Sequence, residues 1–233
     1  MQTQQPDAEH INLKKDVHAG DVKAHLEHIQ NEFKNGFELL KKYPKSVTMF
    51  GSSMIDEKSP VYQKAMDLAR RISEETSYAI VTGGGPGLME AFNRGAREAG
   101  GPSVGFNESL PHDHKANQYL TDQIKFSYFF SRKAMMTFAV ETFIFFPGGF
   151  GTFDELFSVL TLIQTDKIPR VPVVLFDSSY WNDVVEVFRK IMLEKFGTIR
   201  EKDLKLFTVT DSIDEVINII KNAPVSEWWK NLN

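Results

Sequence analysis

The chain has 233 residues, 42% of them hydrophobic and 25% charged, with a net charge of -4 and no cysteine. That balance excludes a disordered chain, disulfides, thiolate metal sites and a cysteine nucleophile, and it lacks the cationic excess of a nucleic-acid or membrane coat. No apolar run approaches the roughly 20 residues that cross a bilayer, and Met1–Glu9 lacks the apolar stretch of a secretory signal, so a cytoplasmic location is expected.

Residues 1–20 carry few large apolar groups and read as a flexible N-terminal arm. From Asp21 to Tyr43, the positions Val22, Leu26, Ile29, Phe33, Phe37 and Leu40 recur every three or four residues, which predicts a helix ending at Pro44 and packed on the body through that stripe. A dimer contact is the other use of such a stripe.

Residues 45–233 change pattern and read as one domain. Short β-rich runs occur at Ser46–Phe50, Tyr78–Thr82, Ser103–Phe106, Ile124–Tyr128, Thr142–Phe146, Val171–Phe176 and Leu206–Thr210. Helical periodicity fills most gaps, at Pro60–Glu75, Leu88–Ala99, Arg132–Val140, Thr152–Gln164 and Tyr180–Glu194. Ser59 before Pro60, and Ser212 with Glu215, mark two helix starts. Strands alternating with helices predict a single doubly wound α/β domain with a mostly parallel sheet of about seven strands, covered on both faces.

In such a sheet, ligands sit beyond the carboxyl ends of the strands, where the strand order reverses. Three strand ends carry small residues: Gly51-Ser52-Ser53, then Gly83-Gly84-Gly85-Pro86-Gly87-Leu88-Met89-Glu90, then Pro147-Gly148-Gly149-Phe150-Gly151-Thr152-Phe153-Asp154-Glu155. Glycine lets an anion approach the backbone amides, and a helix that follows adds unpaired N–H groups and the positive end of its dipole. Two loops of this kind point to phosphate or nucleotide binding, with Thr152 adding a hydroxyl. Neither loop is a dinucleotide G-x-G-x-x-G, because the third position falls on Leu88 or on Asp154, and no Gly-Lys pair exists for a Walker A loop. A mononucleotide or sugar phosphate is therefore expected.

Glu155 lies about one turn into the predicted helix, and Arg132 and Lys133 open another helix on the same edge. A carboxylate beside a ribose stabilises an oxocarbenium-like centre or activates water, and an arginine holds phosphate or neutralises a departing base. His112-Asp113-His114 is the sole metal-like cluster and lies in a polar segment with no further ligand set, so no metal is expected. Phe126, Tyr128, Phe129 and Phe130 read as core with one ring available to stack on a base, Asn117 and Tyr119 as a lid, and Trp228-Trp229 as a docked tail.

Gly83–Glu90, Ser131-Arg132-Lys133 and Pro147–Glu155 closely resemble the Lonely Guy family over about residues 45–225. The resemblance implies a Rossmann-type phosphoribohydrolase that cleaves cytokinin or adenosine 5′-monophosphates to base and ribose 5-phosphate, without a cofactor. It implies Arg132 and Glu155 as the catalytic pair. Gly148, Gly149, Gly151 and Thr152 would form the phosphate loop, with Gly51, Ser52, Ser53, Gly83, Gly84, Gly85, Gly87, Met89, Glu90 and Lys133 around the substrate and Glu90 on the ribose hydroxyls. Gly51-Ser52-Ser53 stands where many plant-type members have Gly-Ser-Arg, and with the long N-terminal helix this fits the longer bacterial branch. Family members usually form homodimers. Many are labelled lysine decarboxylases, yet the Schiff-base lysine and ring-nitrogen partner of pyridoxal chemistry are not recognisable here. Molybdenum-cofactor carriers share the fold and loops, so non-catalytic carriage of a phosphorylated cofactor is the alternative.

Overall fold

The computed structural model describes residues 22–109, 116–138 and 140–224. The expected arm at 1–20, the His112–His114 cluster and Trp228-Trp229 lie outside the described residues.

Among the described residues seven strands form one sheet: β1 (Ser46–Phe50), β2 (Ala79–Thr82), β3 (Ser103–Glu108), β4 (Asp122–Phe126), β5 (Thr142–Phe145), β6 (Val173–Phe176) and β7 (Thr208–Thr210). The helices are α1 (Val22–Lys41), α2 (Pro60–Thr76), α3 (Leu88–Glu98), α4 (Phe129–Phe138), α5 (Phe150–Gln164), α6 (Ser178–Val187) and α7 (Ile213–Asn222). The strand order is β4-β3-β2-β1-β5-β6-β7, and every pairing is parallel. The doubly wound α/β expectation is borne out, and the order reverses between β1 and β5, the position that creates a ligand crevice.

The wholly buried strands β1, β2, β5 and β6 are apolar or nearly so, because both faces are covered. On one face, Tyr62, Leu68 and Ile72 of α2, Leu88 and Phe92 of α3, and Val216, Ile217 and Ile220 of α7 pack against Val47, Ile80, Ile144 and Val174. On the other, Leu40, Met135, Leu156, Val159 and Trp181 pack against Val81, Val104, Phe143 and Leu175. Trp181 is fully buried, and its indole N–H donates to the Phe145 carbonyl at 3.1 Å, so its polar edge is satisfied.

Several boundaries differ from expectation for identifiable reasons. Strand β3 runs on to Glu108 because Asn107 and Glu108 pair with Lys125 and Phe126. Helix α6 starts at Ser178, capped by Asp177, and continues as a π-helical stretch to Lys195. The last strand begins at Thr208 rather than at Leu206, because Leu206 closes a 3-10 turn at Glu201–Lys205. In α1, Phe33, Phe37, Leu39 and Leu40 pack on the body, whereas Val22 and Leu26 are 67% and 61% exposed. Most consequential for the site, α4 begins at Phe129 rather than at Arg132, because the buried Glu32 carboxylate of α1 accepts from the amides of Ser127 and Tyr128.

Candidate active site

The carboxyl ends of β1, β2, β3 and β5 enclose a cavity of about 350 Å³, within the range of small-ligand sites. Gly51, Ser52 and Ser53 line it from β1, Gly83, Gly85, Pro86 and Met89 from β2 and α3, and Asn107 and Glu108 from β3. Phe129 and Arg132 enter from α4, and Gly149, Gly151, Thr152 and Glu155 from α5.

The glycines fall into two groups. Gly84 and Gly87 have φ of +71° and +69°, and a Cβ at Gly87 would meet the Ser52 carbonyl oxygen at 2.5 Å. At Gly83 a Cβ would fall on the Arg132 guanidinium, and at Gly148 on the Thr152 hydroxyl. These glycines are required by the chain's own packing. Gly149 and Gly151 are not: a Cβ at either meets nothing within 4 Å, and neither has a positive φ. Their bareness leaves the first amides of α5, which have no intrahelical acceptor, open to the cavity.

The loop carrying those amides is held rigidly. Pro147 accepts from the Ser52 amide at 3.0 Å, Gly148 from the Tyr180 hydroxyl at 2.6 Å, and Ser52 from the Leu88 amide at 2.9 Å. The β2 loop is braced from behind by a buried network. The Thr82 hydroxyl donates to Asn93 Oδ1 at 2.6 Å and accepts from the Gly84 amide at 2.9 Å. Asn117 Nδ2 donates to Asn93 Oδ1 at 2.9 Å and to the Gly85 carbonyl at 3.0 Å. Asn117 is thus a buried brace and not the expected lid. Tyr119, also expected in that lid, lies under Arg94 and does not line the cavity.

Arg132 is the organising cation. Its Nε donates to the Phe106 carbonyl at 2.7 Å, and its Nη1 lies 3.7 Å from Glu155 Oε1 and 3.8 Å from Glu108 Oε2. Burial pushes the Glu155 carboxyl up to about 7; Arg132 and Lys133 pull it down, while Asp154 and Glu108 push it further up. A carboxyl titrating near neutrality beside a fixed cation is suited to proton transfer or to meeting developing positive charge.

Five expected site residues stand apart from the cavity lining: Gly84 and Gly87, whose positive φ serves the turn, and Glu90, Lys133 and Gly148. Glu90 accepts a hydrogen bond from the Tyr62 hydroxyl at 3.3 Å. Lys133 pairs with Asp154 at 2.5 Å and reaches Ser158 at 3.3 Å, tying α4 to α5. Gly148 lies behind Thr152. Phe129, 42% exposed, is the ring of the aromatic cluster that faces the cavity, while Phe126 and Tyr128 are core. Sequence reasoning passed over Asn107 and Glu108, although a polar pair at the carboxyl end of a strand was a usable signal. It also passed over Met49, Phe50 and Met54, which carry no signal beyond apolarity, while Pro86 lay within the Gly83–Glu90 segment without a role of its own. Among the described residues no group of three His, Asp or Glu could hold a metal, and no helix is long and apolar enough to cross a membrane.

A family model described as "Possible lysine decarboxylase" matches residues 89–220. A cytokinin riboside 5′-monophosphate phosphoribohydrolase from Rhodococcoides fascians is 31% identical over 157 residues, covering 66% of this chain and 79% of its own. An Arabidopsis thaliana protein of the same name is 29% identical over 143 residues, covering 61% and 67%. The solved molybdenum cofactor carrier protein of Chlamydomonas reinhardtii shares the fold, with a TM-score of 0.55 at 19% identity over 76% of this chain and 96% of that one. With the family model spanning more than half of the sequence and these relatives alongside it, the chain belongs to the Lonely Guy family.

Proposed function

We propose that the protein is a nucleoside 5′-monophosphate phosphoribohydrolase, which hydrolyses the N-glycosidic bond of AMP or an N6-modified AMP to free base and ribose 5-phosphate. The observation that carries this reading is the open pair Gly149 and Gly151. They are bare where the chain's own packing does not require it, at a helix N-terminus suited to a phosphate dianion. The names of the sequence relatives support the same class of reaction.

In this reading the phosphate sits on the first amides of α5 with the Thr152 hydroxyl beside it, and Gly83–Gly87 wall the other side. Glu155, one turn further into α5, faces the anomeric carbon. As the bond from C1′ to the base breaks, its electron pair leaves with the base, and positive charge develops on the ribose. Ionised Glu155 stabilises that charge and takes the proton of the water whose oxygen bonds to C1′. Arg132 neutralises charge on the departing base or on the phosphate; the base takes a proton from solvent as it leaves, and Glu155 afterwards returns the water's proton to solvent. Glu108, at the end of β3, lies 3.8 Å from the same Arg132 nitrogen. Strands β5 and β3 are three spacings apart, about 14 Å, so the cleft accommodates a ligand longer than an anion alone. None of these steps calls for a cofactor or metal.

We also propose a homodimer built on the apolar surface of α4 and α5, where Phe130, Phe138 and Phe157 are 47%, 52% and 41% exposed. Light scattering coupled to size exclusion checks it: a dimer mass is expected, and a monomer mass at micromolar concentration would rule it out.

The functional test is incubation of the purified protein with a panel of nucleoside monophosphates. Free base and ribose 5-phosphate in equal amounts are expected from AMP or an N6-substituted AMP. Binding of AMP without release of base would favour the carrier alternative.

A further inference from the structure

The N-terminus of α4, the helix that carries Arg132, is capped from another part of the chain. Ser127, one residue before the helix-capping Tyr128, has a buried hydroxyl with no partner among the described residues. The buried Glu32 carboxylate of α1 accepts from the Ser127 amide at 2.5 Å, from the Tyr128 amide at 3.4 Å and from the Ser131 hydroxyl. His28 Nε2 lies 3.3 Å from the same carboxylate, and His25 Nδ1 lies 2.6 Å from the Tyr128 hydroxyl. The two helices touch again where Gly36 leaves room for Met135 and where Phe37 meets Phe138 at 5.4 Å. The first turn that Glu32 fixes runs directly into Arg132, whose amide donates to the Tyr128 carbonyl at 3.2 Å.

We propose that Glu32 is a positioning residue of the active site: through the capped first turn of α4 it sets the Arg132 guanidinium against Glu155 and the cavity. The proposal rests on the phosphoribohydrolase reading for its kinetic consequence, but not for its geometry. Helix α1 then contributes more than packing. A backbone carbonyl (Phe106) and the start of α4 together fix the guanidinium, and loss of the second lets it drift while the first still tethers it. Displacement of a reacting group by about 1 Å costs up to about 10²-fold in rate, so the effect belongs in kcat more than in substrate affinity.

The test compares Glu32→Ala and Glu32→Gln with Leu40→Ala, a buried α1 residue away from the α4 N-terminus. In AMP hydrolysis by the full chain, Glu32→Ala is expected to lower kcat by about tenfold or more with KM changed by less than about threefold. Glu32→Gln, which keeps an acceptor oxygen, should recover part of that loss. Leu40→Ala should lower the melting temperature while kcat stays within about twofold. Unchanged kcat in Glu32→Ala, or an equal loss in Leu40→Ala, overturns the proposal. If Glu32→Ala does not fold, a cycle of Glu32→Gln with Ser131→Ala replaces it; losses that fail to add support the coupling, and additive losses refute it. Should the parent protein not hydrolyse AMP, the functional reading fails and the positioning claim is read separately from the Nε–H NMR signal of Arg132, assigned by its loss in Arg132→Lys. Faster exchange of that proton in Glu32→Gln than in Leu40→Ala supports the claim, and identical exchange overturns it.

Discussion

Arg132 Nη1 lies 3.7 Å from Glu155 Oε1, with 12% and 7% of the two side chains exposed. Burial raises the Glu155 pKa and Arg132 restrains the rise, so the cation that faces the cavity also tunes the acid beside it. Removing Glu155 takes away the titrating group, and removing Arg132 shifts it, so their consequences are separable by pH.

Glu155→Gln keeps the shape of the side chain and loses its charge. It is expected to lower kcat for AMP by about 10³-fold or more, since both proton transfer and electrostatic stabilisation are lost. AMP affinity, measured by calorimetry, should change by less than about tenfold, because the proposed phosphate site is the α5 amides rather than the carboxylate. Turnover at the parental rate would remove Glu155 from the chemistry.

The pH profile carries a sign. If ionised Glu155 is the working form, kcat/KM for AMP rises with pH through a limb near 7 and levels above it. Arg132 lowers that pKa, so the residual activity of Arg132→Ala should show the limb displaced to higher pH, on top of a loss of orders of magnitude. A limb that stays in place or moves down would mean the two side chains do not interact as their geometry implies.

Stability carries a sign as well. Below pH 4.5 Glu155 is protonated both folded and unfolded; as pH rises towards 7 the unfolded chain ionises while the folded one resists. The contribution present at low pH is therefore lost as pH rises through about 7, worth about 3 kcal/mol at the upper limit. Glu155→Gln should gain stability relative to the parent between pH 5 and pH 8 in urea titrations. A difference that is flat with pH would show that the carboxyl titrates normally.

Gly151→Ala separates folding from binding. The new methyl meets open space in the first turn of α5, so stability should hold or rise by about 0.5–1 kcal/mol. AMP affinity should nevertheless fall, by about tenfold or more, because the methyl occupies the approach to the amides. Gly87→Ala, at a φ of +69° against the Ser52 carbonyl, should destabilise the fold outright. Undiminished AMP affinity in Gly151→Ala would place the phosphate elsewhere.

Much of this was legible in the chain. The run Thr142–Phe146 reads as a strand buried on both faces, as Thr142–Phe145 is, and Pro147–Thr152 after it reads as a strand-to-helix turn on the ligand edge. Other parts depend on contacts remote in sequence. Glu32 reads as one acid beside an apolar stripe, since its partners lie 95 to 99 residues away. For the same reason the start of α4 was misplaced by a turn: the amides of Ser127 and Tyr128 that lead into it are held by Glu32, not by a local side chain. Glu90 fell in the right motif but on the side of α3 that meets Tyr62, a distinction that periodicity alone does not make.

The most direct measurement is a crystal structure of Glu155→Gln with AMP bound. The phosphate is expected within hydrogen-bond distance of the amides of residues 150–152, with C1′ of the ribose facing residue 155 and Arg132 beside the nucleotide. A phosphate lodged at Gly83–Gly87 instead, or a ribose turned away from residue 155, would contradict it.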